Sequence, residues 1–171
     1  MIVTRFFNIV GPRQRARYGM VLPNFIRAAL AGEPIRVFGD GMQTRNFCFV
    51  QDCVDALLQL LSAGAAAGHI FNIGGPEEIS MMELAERVKR ITGSPSPIVK
   101  VPYEEAYPEG NFEDMRRRVP CNCEIHRLTG WAPKTSLESI IAQTSAYEQH
   151  RAIPLQPPPL EQVVPCTGLV M

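Results

Sequence analysis

An α/β fold built around a parallel sheet is what this sequence predicts, on three observations. The run Ile2 to Val10 is nearly all apolar, carries Val3, Phe6, Phe7 and Ile9, and ends at Gly11-Pro12. A continuous apolar run closed by turn residues suits a strand covered on both faces, as in a parallel sheet. A second run of this kind, His69 to Ile73, ends at Gly74-Gly75. Between and after these runs, apolar residues recur at helical spacing. Strand patterns alternating with helix patterns indicate an α/β architecture.

The elements follow in order. A helix is predicted over Val21 to Ala31, with Val21, Leu22, Phe25, Ile26, Ala29 and Leu30 on one face, Pro23 in its first turn and Gly32 past its end. Two short strands come next, Ile35–Phe38 and Arg45–Val50, joined by GDGMQT. In the second, alternation sends Phe47 and Phe49 one way and Cys48 and Val50 the other. Asp52 is placed to cap a helix with Val54, Leu57, Leu58 and Leu61 at helical spacing. Ser80 and Glu83 form an S-x-x-E capping box for a helix carrying Leu84, Ala85, Val88 and Ile91 and stopping at Gly93. SPSP reads as a linker and IVKVPY as a short strand. A helical turn near Glu124 to Leu128 leads to Gly130-Trp131, and Thr135 with Glu138 makes a second capping box for a last helix to about Gln149. Residues 1–152 are expected to form one domain. Residues 153–171, with Pro154, Pro157, Pro158, Pro159 and Pro165, are expected to be a disordered tail.

Composition narrows the function. Of the 171 residues, 17 are lysine or arginine and 17 aspartate or glutamate, so the formal net charge is zero. A nucleic-acid binder normally rests on a basic excess, and none exists here. Arg116-Arg117-Arg118 is a basic run that suits a solvated face or a local anion site. No apolar stretch approaches the roughly 18 residues of a membrane span. The N-terminus has no secretory pattern, and five cysteines show no disulfide framework, so a reducing, cytoplasmic setting is expected. Cys121, Cys123 and His126 are closely spaced, but C-x-C with one histidine matches structural zinc spacing poorly. No metal is expected, and structural cysteines are the default reading.

Four blocks carry a more specific signal: RFFNIVGPRQ, GEPIRVFGDGMQTRNFCFVQD, HIFNIGGPEEISMMELAERV and RRRVPCNCEIHRLTGWAP. Each resembles a block of the NAD-dependent epimerase/dehydratase family, the nucleotide-sugar branch of the extended short-chain dehydrogenases, in matching order and spacing up to about Arg151. The resemblance is nearest to UDP-glucose 4-epimerases and UDP-glucuronate decarboxylases. It implies the C-terminal part of an NAD(P)-binding Rossmann-like fold, with the small substrate-binding lobe and only the last strands of the parallel sheet. It implies a UDP-sugar or other nucleotide sugar as ligand and NAD as cofactor, bound mainly by an N-terminal half.

By the same resemblance, Arg45 of the QTR block and Arg118 meet the diphosphate. Guanidinium groups suit that task through bidentate, charge-assisted bonds. A salt bridge is the alternative for Arg45, and Arg116 and Arg117 are expected to face water. Asn8 touches the diphosphate or sugar, or is a strand-end amide. Asn24 bonds substrate or caps its helix. Ile35, Val37 and Phe38 bracket the base, with Phe38 a core aromatic in the alternative. Gln43 reaches the ribose. Phe6 and Phe7 lie where the family's chain passes the nicotinamide, or are plain core. Asp52 and Glu83 are caps and Asp55 is solvated. The usual acidic residue after the family's arginine-x-proline is here Cys121, and a thiol is a poor acceptor.

The phosphate-cradling G-x-x-G-x-x-G is absent. Gly39-Asp40-Gly41 joins two strands and cannot seat a pyrophosphate on a helix N-terminus. No tyrosine has lysine four residues on; Tyr147 has Arg151 there. No residue is therefore expected to be the catalyst. The chain reads as the substrate-gripping half of such an enzyme, completed by an N-terminal Rossmann half or by self-association. The alternative is a binding-only or partner-dependent module of the same fold.

Overall fold

The computed structural model describes residues 1–14, 20–106 and 114–151. The expected proline-rich tail lies outside the described residues. Strand β1 (Val3–Phe6) pairs in parallel with β6 (Ile70–Ile73), the register running from Val3–Ile70 to Phe6–Ile73. After a break at Phe7 and Asn8, β2 (Ile9–Val10) pairs in parallel with β5 (Cys48–Phe49). Asn8 makes the break by taking φ of 44°, a left-handed conformation that asparagine tolerates better than most residues. The single strand expected over Ile2 to Val10 is thus two strands serving different partners.

Strand β3 (Ile35–Phe38) pairs in parallel with β8 (Ile98–Val101). A three-stranded sheet places β4 (Thr44–Asn46) between antiparallel β7 (Glu78–Ser80) and parallel β9 (Arg117–Arg118). The strand expected over Arg45–Val50 is therefore divided. Its first part joins the β7–β4–β9 sheet, its second joins β2, and Val50 already begins a helix. Both β7 and β9 lack a sequence pattern: each is two or three polar-rich residues held by β4.

Helix α1 (Val21–Ala31) buries Leu22, Phe25, Ile26 and Ala29 and ends at Gly32, in agreement with the expected limits. It packs with α3 (Met81–Thr92) and α6 (Leu137–Arg151) over β3 and β7, forming a core of Ile26, Ile35, Val37, Ile79, Leu84, Val88, Ile140 and Ile141. The expected SPSP linker is packed rather than loose. Ser94 Oγ donates to Ala29 O at 2.7 Å and Ser96 Oγ to Ala28 O at 3.4 Å. Both hydroxyls add to the bonds that Gly32 and Glu33 N–H make to the last carbonyls of α1.

A second core gathers Cys48, Cys53, Ala56, Leu60, Phe71, Ile73, Ile125 and Trp131 from β5, α2 (Val50–Ser62), β6 and α5 (Cys123–Thr129). The expected face of α2 is corrected here. Val54, Leu58 and Leu61 are exposed, and the buried face is Asp52, Cys53, Ala56 and Leu60. Asp52 is not a cap of α2. Its carboxylate accepts the backbone N–H groups of Lys134 and Thr135 at 3.1 and 2.9 Å, fixing the approach to α6. Ser136, not Thr135, caps α6, its hydroxyl accepting from Ser139 N. Ser80 caps α3 as expected, accepting from Glu83 N at 3.2 Å. The Glu83 carboxylate goes instead to Arg87. A single helical turn, α4 (Tyr103–Ala106), follows β8.

Candidate functional site

A cavity of about 780 Å³ opens at the N-terminus of α1 and is lined from β3, β4, α4 and β9. Strand alternation decides one wall. Ile35 and Val37 are fully buried in the core, so Arg36 and Phe38 fall on the opposite face and line the cavity. The expectation that Ile35 and Val37 bracket a planar ring is corrected by that burial. Phe38 is 38% exposed, a cavity wall and not a core aromatic.

Arg45 is only 8% exposed, in the middle strand of its sheet. Its Nη1 donates to Thr44 O at 2.7 Å and Met115 O at 2.8 Å, and its Nη2 donates to the Asp114 carboxylate. This is a buried tether across about 70 residues of sequence, not a surface salt bridge. Those bonds occupy three of the five guanidinium N–H groups. Among the described residues no acceptor meets Nε–H or the second Nη2–H. Gln43 gives its amide nitrogen to Phe38 O at 3.0 Å and to the Tyr103 hydroxyl at 2.9 Å. Any ribose contact from Gln43 therefore falls to its carbonyl oxygen. Tyr103 in turn donates to Asp114 at 3.2 Å. Burial, together with the Asp114 charge, pushes the Tyr103 phenol up to about 12, so it stays a donor.

The three adjacent arginines separate cleanly. Arg116 pairs with Asp40 at 2.5 Å and Arg117 with Glu78 at 2.8 Å, both on the surface. The Arg116 guanidinium holds the Asp40 carboxyl below its ordinary range, and Arg117 does the same for Glu78. Arg118 lies over the Phe7 ring, 5.9 Å from its centroid, and lines the cavity. Among the described residues no carboxylate neutralises Arg118 or Arg36.

Asn8 lines the cavity while its Nδ2 donates to Asn46 O at 2.7 Å and its backbone carbonyl accepts from Cys48 N at 3.1 Å. Asn24 is exposed on the first turns of α1 and lines the cavity too. It does not cap α1, whose N-cap position is Met20 and carries no side-chain bond. The positive end of that helix thus faces the cavity, a favourable setting for an anion. Phe6 is 48% exposed at the end of β1, so it is not core. Phe7 is half-buried beneath Arg118.

Sequence reasoning missed Arg36, Tyr103 and Asp114. The apolar neighbours Ile35 and Val37 signalled Arg36, since alternation leaves it on the other face. Nothing local signalled Tyr103 or Asp114, which meet Gln43 and Arg45 from 60 and 69 residues away.

Residues 1–74 match the sequence profile described as the NAD dependent epimerase/dehydratase family. The UDP-N-acetyl-alpha-D-glucosaminuronate decarboxylase of Bacillus cytotoxicus is 40% identical over 143 residues, covering 83% of this chain and 44% of that protein. UDP-glucuronic acid decarboxylase 5 of Arabidopsis thaliana is 41% identical over 135 residues, 79% of this chain and 37% of that protein. The UDP-glucose 4-epimerase of Thermotoga maritima, solved with UDP-glucose, superposes with a TM-score of 0.77 at 31% identity, over 88% of this chain and 46% of that one.

The chain belongs to the NAD-dependent epimerase/dehydratase family.

This family member spans less than half the length of the curated relatives it matches. Its architecture is the α/β fold with parallel strand pairs shared with the Rossmann-like epimerases. Among the described residues, the GDG turn is not a dinucleotide cradle. Gly39 and Gly41 of the GDG turn join β3 to β4, and a Cβ at Gly39 would sit 2.5 Å from the Tyr103 ring. That glycine admits a neighbouring side chain, not a pyrophosphate. Among the described residues no group of three or more histidine, cysteine, aspartate or glutamate side chains could hold a metal ion. Cys121 and Cys123 are joined in a disulfide, which replaces the expectation of plain structural thiols and removes the cysteine-based support for a reducing compartment. No helix among the described residues is long and apolar enough to cross a membrane.

Proposed function

We propose that this chain is the nucleotide-sugar-gripping, C-terminal part of an NAD-dependent nucleotide-sugar epimerase, dehydratase or decarboxylase. The cavity carries this reading: two guanidinium groups that no carboxylate neutralises among the described residues, Arg118 and Arg36, share it with the exposed ring of Phe38 and the N-terminus of α1. A UDP-sugar brings a diphosphate of about two negative charges and a planar base. Arg118, the two remaining N–H groups of Arg45, Asn8 and the α1 terminus meet the diphosphate with donors and positive charge. Phe38 offers a face for the base. Each charged hydrogen bond is worth about 1.5–3 kcal/mol.

NAD and the acid/base Tyr-x-x-x-Lys pair belong, in this reading, to an N-terminal half. Three observations support that. The solved epimerase and the named decarboxylases are each more than twice the matched length. Strand β1 pairs with β6 alone among the described strands, and Val3, Phe6 and Ile70 stand exposed along that pair. The α2 stripe of Val50, Val54, Leu58 and Leu61 is exposed as well. Partner strands and helices would cover both surfaces.

Calorimetric titration tests the reading with the chain co-expressed beside the N-terminal Rossmann half of a related enzyme. UDP and a UDP-sugar should bind, and uridine without phosphates should bind far more weakly. Equal affinity for uridine and UDP, or no binding of either UDP compound, overturns it.

A further inference from the structure

We propose that Cys121 and Cys123 form a reversible thiol–disulfide site, reduced by small dithiols, whose redox state sets how the loop before α5 seats on the β6 turn and, through it, the cavity residue Asn8. The bond joins residues two apart, with Cα atoms 5.4 Å from each other. So small a loop removes little entropy from the unfolded chain, so the bond adds little to global stability. Both cysteines are exposed to solvent, and an exposed bond is open to attack by a thiolate. The other described cysteines are unlike them: Cys48 and Cys53 are buried free thiols in the second core.

The residue inside the loop ties it to the cavity. Asn122 accepts Gly74 N at 3.0 Å through Oδ1 and donates Nδ2 to Gly74 O at 3.0 Å. Its neighbour Cys121 accepts through its carbonyl from Asn72 Nδ2 at 3.5 Å, and Pro120 lies against Gly74. From that turn, Gly75 O accepts Asn46 Nδ2 at 3.0 Å, and Asn46 O accepts Asn8 Nδ2 at 2.7 Å. The disulfide holds the backbone on either side of Asn122 in the curve that aims both ends of its amide at Gly74. Once the bond opens, that curve is no longer enforced.

The step balances with a dithiol as co-reactant. One reductant thiolate attacks a protein sulfur and breaks the Cys121–Cys123 bond, forming a mixed disulfide. The second reductant thiol resolves it, leaving two protein thiols and a cyclic reductant disulfide. Two electrons and two protons pass to the protein, and glutathione disulfide reverses the change.

The test uses the full chain under dithiothreitol and then glutathione disulfide, read by thiol alkylation with peptide mapping and by amide hydrogen exchange. Reduction should add two labels on the peptide holding Cys121 and Cys123, and reoxidation should remove them. Exchange at Gly74 and at Cys48, whose N–H donates to Asn8 O, should quicken at least five-fold on reduction and recover on oxidation, with Ile26 of α1 unchanged. The double variant Cys121→Ser/Cys123→Ser should show the reduced pattern and ignore dithiothreitol. Labels on these cysteines before reduction would overturn the site. Unchanged exchange at Gly74 after complete reduction would overturn its coupling to the turn. The wild-type measurement decides the matter even where the double variant does not fold.

Discussion

Arg116, Arg117 and Arg118 are adjacent, yet Asp40 and Glu78 occupy the first two while Arg118 rests on Phe7 at the cavity. Arg118→Ala should therefore weaken UDP binding about ten-fold or more, the equivalent of a lost charged hydrogen bond, with little change in stability. Arg117→Ala should leave the affinity within about two-fold, since exposed pairs count for little. Titration of the two variants checks both. Arg45→Ala should behave differently. It removes a buried tether to Thr44 O, Met115 O and Asp114, so urea unfolding should show a loss of roughly 2–4 kcal/mol alongside weaker binding. Affinity unchanged in Arg45→Ala would remove it from the diphosphate seat. Cys48 makes a separate residue-scale prediction. Burial first, then Cys53 and Asp52, pushes its thiol up to about 12. A raised thiol pKa favours the neutral form in the folded state. Its stabilising effect is present below the ordinary thiol value and is lost as pH rises toward 12. Maleimide at pH 8.5 should thus leave Cys48 unlabelled until the protein is unfolded; rapid native labelling would contradict the burial.

Helix α1 was legible because its apolar stripe, its early proline and its closing glycine agree with one another. Helix α2 misled because its most apolar stripe is not its buried one. Ala56 and Cys53, with Leu60, sit in the core, and Asp52 is buried with them to hold the backbone of Lys134 and Thr135. Asp52→Ala should cost about 1–3 kcal/mol, since two part-buried backbone N–H groups lose a charged acceptor; a melting temperature within 1 °C of wild type would refute this. The turn after β6 is equally exacting. A Cβ at Gly75 would lie 1.9 Å from Phe47 O, backbone against backbone. Gly75→Ala should destabilise by on the order of 4 kcal/mol or prevent folding, which expression and denaturant unfolding would show.

At the scale of the molecule, two clusters of exposed apolar residues stand out among the described residues, Val3, Phe6 and Ile70 on the β1–β6 pair and Val50, Val54, Leu58 and Leu61 on α2. A parallel strand pair with no further partner among the described strands, together with an apolar helix stripe, invites association. The chain alone should scatter light as oligomers or aggregates, and Leu58→Lys with Leu61→Glu should reduce that association. A stable wild-type monomer with a cooperative melt would defeat this expectation. The chain alone should also turn over no UDP-sugar when NAD is added, because neither the glycine-rich loop nor the tyrosine–lysine pair occurs in its sequence.

Residue pattern along the chain was enough for the α/β class, the family, the limits of α1 and the Ser80 cap. The residues that the resemblance assigned to substrate, Asn8, Asn24, Phe38, Gln43, Arg45 and Arg118, all line the cavity. These are properties of local periodicity, turn chemistry and block order, all written along the chain. It took the folded chain to show that Arg45–Val50 divides between two sheets, that β7 and β9 exist, and which face of α2 is buried. Only it brought Tyr103 and Asp114 to Gln43 and Arg45 and joined Cys121 to Cys123. The physical reason is common to these cases. A two-residue strand, a spent guanidinium and a buried face are each defined by a partner distant in sequence, and local residue pattern carries no record of who that partner is.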